Sequence, residues 1–329
     1  MLSILALALA PTFFVMLLGY GAGKTGHINN MHVTELITVV LSYCLPASLF
    51  VATASSKRSD LIAQWPILLS LAITMMVVYL LWYAYQRASR KQDSSESALQ
   101  ALAVGQPNFA AAAYPVIAAL FGADHISTVA VGIAVGTLLP SPLTLALLEL
   151  DKSSEVGAKE RDDEGSPAPR GAWFRQIATA SGHALTKPIV LAPVFGTLVS
   201  FSGLQLPSVV IASLRQIGVA AGGMGLFVTG LVLSQSAFRL TLNTSIGVVI
   251  SNIAQPLLAF FLSRAMGAPT EITKISVVMA ALPSGFFGIL FGKSYDRLSE
   301  EGNSIILAST LFSTLTLAAV IAWTYHYSG

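Results

Sequence analysis

Charged residues are scarce in this sequence. Only 10% of the 329 residues are charged, whereas 54% are hydrophobic and the mean hydropathy is +0.71. Soluble domains carry about 25% charged residues, which cover the surface that faces water. The composition therefore excludes a soluble globular protein and indicates a surface that faces lipid. The net charge of +2 is too small to indicate a nucleic-acid partner.

The sequence also lacks the residue patterns of enzymes and metal sites. Cys44 is the single cysteine, so no intramolecular disulfide can form. There is no HExxH or GxSxG motif, no glycine-rich phosphate loop, and no His/Cys/Glu cluster with metal-ligand spacing. We therefore predict no enzymatic activity, no metal and no cofactor, and we do not expect ATP to supply the energy.

Long apolar runs dominate the chain. A helix of about 20 apolar residues crosses the hydrocarbon layer of a membrane. On that criterion ten spans are predicted, at Leu2 to Ala22, Thr34 to Ala54, Gln64 to Tyr85, Ser97 to Phe121, Ile126 to Leu150, Leu185 to Phe201, Ser208 to Leu233, Leu240 to Ala265, Ile272 to Gly292 and Asn303 to Tyr325.

A charged and proline-containing segment divides the spans into two groups of five. We interpret residues 151–174 as a solvated, disordered linker between a first repeat, 1–150, and a second repeat, 175–329. Most of the 18 lysines and arginines lie at the span ends that share a side with this linker. The positive-inside rule then places the linker in the cytoplasm and both termini outside.

The two halves share short motifs. Ala10-Pro11 in the first span corresponds to Ala192-Pro193 in the sixth, and Pro107-Asn108 in the fourth span corresponds to Pro283-Ser284 in the ninth. The members of each pair are five spans apart, so they run through the membrane in opposite directions. This spacing indicates an inverted repeat, which is common among secondary transporters.

Prolines interrupt the fourth and ninth spans near mid-depth. A proline removes a backbone hydrogen bond, and such breaks persist in membranes where they line a cavity. The half-helices after the breaks would present N–H groups and a positive dipole end to an anion. We therefore predict a substrate site formed by Asn108 and Ser284 and by the segments around Pro107 and Pro283, with Gly285 and Pro115 shaping the broken helices.

Other polar residues inside spans are secondary candidates. Tyr43 lies in the second span, and Asn252 and Gln255 lie three residues apart in the eighth, on one helix face. Intramembrane polar groups face the bundle interior, where they bond to other helices or line a substrate path. For the glycine run Gly222-Gly223-Met224-Gly225 in the seventh span, tight helix packing and a sliding surface are both open.

These motifs resemble the auxin efflux carrier family, in particular its bacterial permeases for malonate, malate and similar carboxylates. The resemblance rests on Pro107-Asn108 with Pro115, on Leu282-Pro283-Ser284-Gly285 through Lys293 and Tyr295, and on Lys187-Pro188 with Ala192-Pro193. It implies two inverted five-helix repeats in which broken helices cross within a transport domain that moves against a scaffold. The same fold occurs in bile-acid sodium symporters, but their acidic sodium ligands are missing from the spans of this sequence.

We therefore expect an all-α carrier in the bacterial inner membrane that transports a mono- or dicarboxylate by alternating access. Its expected partners are the carboxylate substrate and membrane lipid, and a homodimer is left open. A sensor built on a transporter fold would bind the carboxylate without flux, and a channel would show unsaturable flux. An intramembrane enzyme is disfavoured by the missing catalytic groups.

Overall fold

Helices form nearly all of the regular structure. The computed structural model describes residues 2–28, 33–56, 58, 65–122, 125–164 and 186–327. Within these ranges the helices are α1 (Leu2–Lys24), α2 (Val33–Ala54), α3 (Trp65–Ala88), α4 (Ser94–Gly105), α5 (residues 109–121), α6 (Ile126–Leu138), α7 (Pro140–Glu164), α8 (Pro188–Ser202), α9 (Ser208–Leu233), α10 (Leu242–Ala265), α11 (Thr270–Ala280), α12 (Phe287–Ser294) and α13 (Glu300–His326). The predicted helical class is confirmed, and the described residues contain only one isolated β-bridge.

Five of the described helices are long and apolar enough to cross a membrane by themselves. They are α2, α3, α9, α10 and α13. The fourth predicted span is divided into α4 and α5, and the ninth into α11 and α12. These two spans are therefore interrupted helices, as the prolines predict.

The fifth predicted span and the linker differ from expectation. Residues 126–150 form two helices, because Pro140 starts α7 at the first helical position, where its missing N–H costs nothing. Helix α7 then continues to Glu164, so the prediction of disorder from Asp151 is wrong up to that residue. The rest of the linker, and the predicted starts at Gln64 and Leu185, lie outside the described residues.

Three helices contain a π-helical turn, and each turn is followed two positions later by a proline. The turns are Val40–Cys44, Phe109–Ala113 and Ile250–Ala254, and they precede Pro46, Pro115 and Pro256. A proline ring clashes with the carbonyl four residues earlier in an α-helix. A π-helical turn is a recognised way for a helix to take up such a local disruption.

Glycines bring two pairs of helices into very close contact. Helix α1 crosses α9 at Gly19 and Gly230, where an added Cβ would collide with the backbone of the other helix. Helix α8 crosses α2 at Gly196, where a Cβ would collide with the Thr53 hydroxyl. Helices α3, α4, α10 and α11 pack against one another in a second group.

Candidate functional site

The two interruptions meet inside the protein. The amide of Asn108 donates to the carbonyl oxygen of Pro283 at 2.7 Å, and the amide of Gly285 donates to the carbonyl of Gln106 at 2.8 Å. These bonds form the antiparallel bridge between Pro107 and Ser284. We call residues 106–110 and 281–288 the crossing. Each break satisfies backbone groups of the other, which removes part of the large cost of unpaired polar groups in a membrane interior.

Gly285 allows this close approach. A Cβ at this position would lie 3.0 Å from the carbonyl oxygen of Gln106 and 3.3 Å from that of Pro107. Any larger side chain would push the two breaks apart. This supports the predicted shaping role of Gly285.

The side chain of Asn108 caps the start of α5, and its Nδ2 group remains free. Its side chain is buried, and Oδ1 accepts a hydrogen bond from the amide of Ala111 at 3.2 Å. Its backbone carbonyl accepts from the amide of Ala112 at 3.1 Å. Among the described residues, the Nδ2 group has no hydrogen-bond partner. A carboxylate could accept from this group.

Ser284 carries an unpaired hydroxyl at the same place. Its amide donates to Ser309 Oγ at 3.0 Å, whereas its own Oγ is buried and has no partner among the described residues. A buried polar group without a partner costs about 1–3 kcal/mol. Such groups are expected to have a function, and a ligand would supply the missing bond.

The free amides lie at the start of α12. We expected the N-terminal amides after Pro107 and Pro283 to receive the anion, and the first amide after each proline already donates within the protein. Three amides at the start of α12 have no hydrogen-bond partner among the described residues, those of Phe286, Phe287 and Gly288. Helix starts leave such groups unpaired and favour negative charge.

Asn252 and Gln255 support the crossing from α10. Gln255 Nε2 donates to the carbonyl of Gly105 at 3.0 Å, which pairs an end of α4 that the break leaves open. Asn252 Oδ1 accepts from Ser309 Oγ at 2.6 Å, and that hydroxyl in turn accepts from the Ser284 amide. Both residues therefore hold the breaks in place, and their role in the substrate path stays a prediction.

Two contributors were missed by the sequence analysis. Gln106 is buried beside Pro107 and accepts from Ser141 Oγ at 3.1 Å, and Ser309 lies in α13. The position of Gln106 next to the proline break was a usable signal. No local pattern distinguishes Ser309 from the other hydroxyl residues of α13.

Tyr43 and Pro115 lie apart from the donors. Tyr43 is 63% exposed, whereas Asn108 and Ser284 are buried. Its role in the substrate path stays a prediction. Pro115 follows the π-helical turn of α5 and shapes that helix beyond the crossing.

Helix α9 forms a wall of the crossing through its glycine run. A Cβ on Gly222 would lie 3.1 Å from the carbonyl oxygen of Ala110, and one on Gly225 would lie 2.5 Å from the ring of Phe286. Gly223 faces away, with nothing within 4 Å. The glycine run is thus a contact surface between α9 and both broken helices.

The donors at the crossing are all uncharged. They are the Asn108 amide group, the Ser284 hydroxyl and the amides at the start of α12, with the positive end of the helix dipole behind them. Such an arrangement can bind an anion without a buried cation. Spanning helices around a buried polar site of this kind define a membrane transport protein.

Comparisons with known proteins agree with this class. The family described as Membrane transport protein matches residues 4–321. The chain is 25% identical to the uncharacterised transporter YfdV of Escherichia coli (strain K12), over 94% of each chain. It is 20% identical to auxin efflux carrier component 5 of Arabidopsis thaliana, over 96% of this chain and 95% of that protein. The chain belongs to this membrane transport family, the auxin efflux carrier family.

Proposed function

We propose that this protein is a carrier that moves a small mono- or dicarboxylate across the bacterial inner membrane by alternating access. The observation that carries the proposal is the buried, unpartnered hydroxyl of Ser284 at the crossing, together with Asn108 Nδ2, which has no hydrogen-bond partner among the described residues. A carboxylate accepts several hydrogen bonds at once, and bonds to a charged acceptor are stronger than those to a neutral one. An anion therefore fits these donors better than a neutral solute.

The helix packing supports two inverted five-helix repeats. Helix α1 packs on α9 as α8 packs on α2, and α3 packs on α4 as α10 packs on α11. In each case, replacing both helices of one contact by the equivalent spans of the other half of the chain gives the second contact. Under this proposal α1, α2, α8 and α9 form the scaffold, and the helices around the crossing move as one body.

The glycine wall supports an elevator-type movement. Gly222 and Gly225 place α9 directly against the crossing without side chains in between. A smooth surface of this kind lets one body slide along the other. The lysine and arginine distribution supports a cytoplasmic position for the C-terminal end of α7 and a position outside for both termini.

The test is uptake of labelled malonate into proteoliposomes. Asn108→Ala should abolish uptake, because it removes the free amide donor and the cap of α5. The control is Asn303→Ala, since Asn303 is equally buried but bonds Ser236 at 3.1 Å outside the crossing. Unchanged uptake by Asn108→Ala across a panel of short carboxylates would refute the assignment.

The same preparations separate a carrier from a sensor. A carrier shows saturable flux, whereas a transporter-fold sensor binds the carboxylate with no flux into the liposomes. Binding is read from a rise in melting temperature with ligand concentration, which follows from mass action.

A further inference from the structure

A polar cavity lies at the C-terminal end of α12, which is the end away from the crossing. It has a volume of about 220 Å³, and its polar lining consists of Thr38, Ser42, Glu149, Lys152, Lys187, Ser294 and Tyr295. The cavity brings together two separate sequence segments, Lys187-Pro188 and the tyrosine that follows α12. The proposed transport mechanism assigns no role to either of them.

Two lysines lie close to the tyrosine ring in this cavity. The Nζ atom of Lys187 lies 5.2 Å from the ring centroid of Tyr295, and that of Lys152 lies 5.8 Å from it. Neither lysine has an ion pair within the part of the chain that the structure describes. Glu149 is the one carboxylate in the lining, so the lining carries a formal charge of +1.

Tyr295 forms a hydrogen bond with the carboxylate of Glu149. Its hydroxyl donates to Glu149 Oε2 at 2.7 Å. Burial, together with the neighbouring Glu149 carboxylate, raises the pKa of Tyr295, so the phenol remains a neutral donor. The cavity thus places two ammonium groups near a single carboxylate, which leaves it a net positive charge for another acceptor.

The start of α8 adds further donor character. Lys187 is the N-cap and Pro188 occupies the first helical position, so the positive end of a 15-residue helix faces the cavity. The amide of Ile189 has no partner among the described residues. Apolar side chains, including Leu41, Leu145 and Phe291, complete the wall and suit a short carbon chain.

We propose that this cavity is a second binding site for a small carboxylate, in which Lys152 and Lys187 hold the acid group before it reaches the crossing. The cavity is smaller than the roughly 300–1,000 Å³ of sites for drug-sized ligands, which suits a short-chain acid. Gly288 at the crossing and Tyr295 in the cavity are seven residues apart along α12, or about 11 Å. The role of the cavity as a capture site rests on the proposed transport function, whereas its ability to bind an anion does not.

The test is isothermal titration of the purified full-length protein with malonate. Wild type should bind two malonate ions per chain, and the double variant Lys152→Ala/Lys187→Ala should bind one. Charge-assisted bonds are worth about 1.5–3 kcal/mol, so each single lysine variant should weaken the second site by about tenfold or more. Lys187→Arg should retain binding, and Lys274→Ala on α11 is the matched control.

Further titrations identify the ligand chemistry. Malonamide, which has the same size without charge, should not bind at the second site, and inorganic phosphate should bind more weakly than malonate. Stronger binding of phosphate than of malonate would overturn the carboxylate assignment. Binding at the second site should weaken between 0.05 and 0.5 M NaCl, because exposed charges are screened.

The two proposals fail in different ways. If Asn108→Ala removes all malonate binding and the double lysine variant removes none, the second site is refuted. If Asn108→Ala leaves both binding events intact while the lysine variants remove one, the crossing assignment fails and the second site stands. Unchanged melting temperatures of the ligand-free variants show that the losses are local.

Discussion

Replacing Gly225 with alanine would place a methyl group 2.5 Å from two carbon atoms of the Phe286 ring. That ring is 1% exposed and packs on the ring of Phe287 at 5.3 Å between centroids, so it has little room to move. Overpacking of a well-packed core costs about 1–3 kcal/mol. The gain in helix propensity from glycine to alanine returns about 1 kcal/mol. We therefore expect a net loss of about 0–2 kcal/mol in the free energy of unfolding.

The effect on transport should exceed this loss of stability. Phe286 carries one of the free amides at the start of α12, so a displaced ring shifts a donor of the crossing. A methyl group in the wall also obstructs sliding of α9 against the broken helices. We expect the initial rate of malonate uptake by Gly225→Ala proteoliposomes to fall at least about tenfold, or about 1.4 kcal/mol in activation free energy.

Gly223→Ala is the matched control for this substitution. A Cβ at Gly223 meets nothing within 4 Å, and the residue lies on the exposed face of the same helix. The change should therefore leave uptake unchanged and raise the melting temperature slightly, since a glycine is removed from a helix. Equal uptake rates for the Gly225 and Gly223 variants would refute the contact-surface argument.

Two further substitutions separate ligand binding from stability. Ser284→Ala removes a buried hydroxyl without a described partner, so the melting temperature of the ligand-free protein should hold or rise while malonate affinity falls about tenfold; a clear loss of stability would show that the hydroxyl has a protein partner. Gln255→Ala removes the donor to the Gly105 carbonyl at 3.0 Å and should lower the free energy of unfolding in denaturant by about 1–3 kcal/mol. Malonate affinity should fall only because the two breaks are displaced. Retention of full stability in Gln255→Ala would contradict its supporting role.

The helices and their interruptions could be predicted from the sequence because both follow from local chemistry. Apolar runs of sufficient length predict helices in lipid, and Pro107 and Pro283 predict breaks because a proline lacks the N–H group. The π-helical turns also have a local cause in Pro46, Pro115 and Pro256, although the sequence analysis did not predict them.

The sequence could not predict which backbone amides remain free, because this depends on contacts between distant parts of the chain. The amide of Asn108 is adjacent to a proline break, yet it is bonded because the carbonyl of Pro283 lies opposite. The role of Ser309 arises in the same way, from the approach of α13 to the crossing. Tyr43 shows the converse, since a polar residue in an apolar span can be exposed instead of buried between helices.

The bonding between the breaks explains why a broken helix can persist in a membrane before any ligand arrives. Asn108 and Gly285 pair the backbone of one break with that of the other, and Gln255 pairs the open carbonyl of Gly105. These bonds hold the two breaks together, so their contact does not require an anion. Among the described residues of the crossing, the unpaired donors are the Ser284 hydroxyl, the Asn108 side-chain amide and the backbone amides at the start of α12. Because the bonds that join the breaks and the unpaired donors involve different atoms, substitutions can change binding and stability independently. The proposed alternating-access mechanism requires this separation, since the empty carrier must return intact.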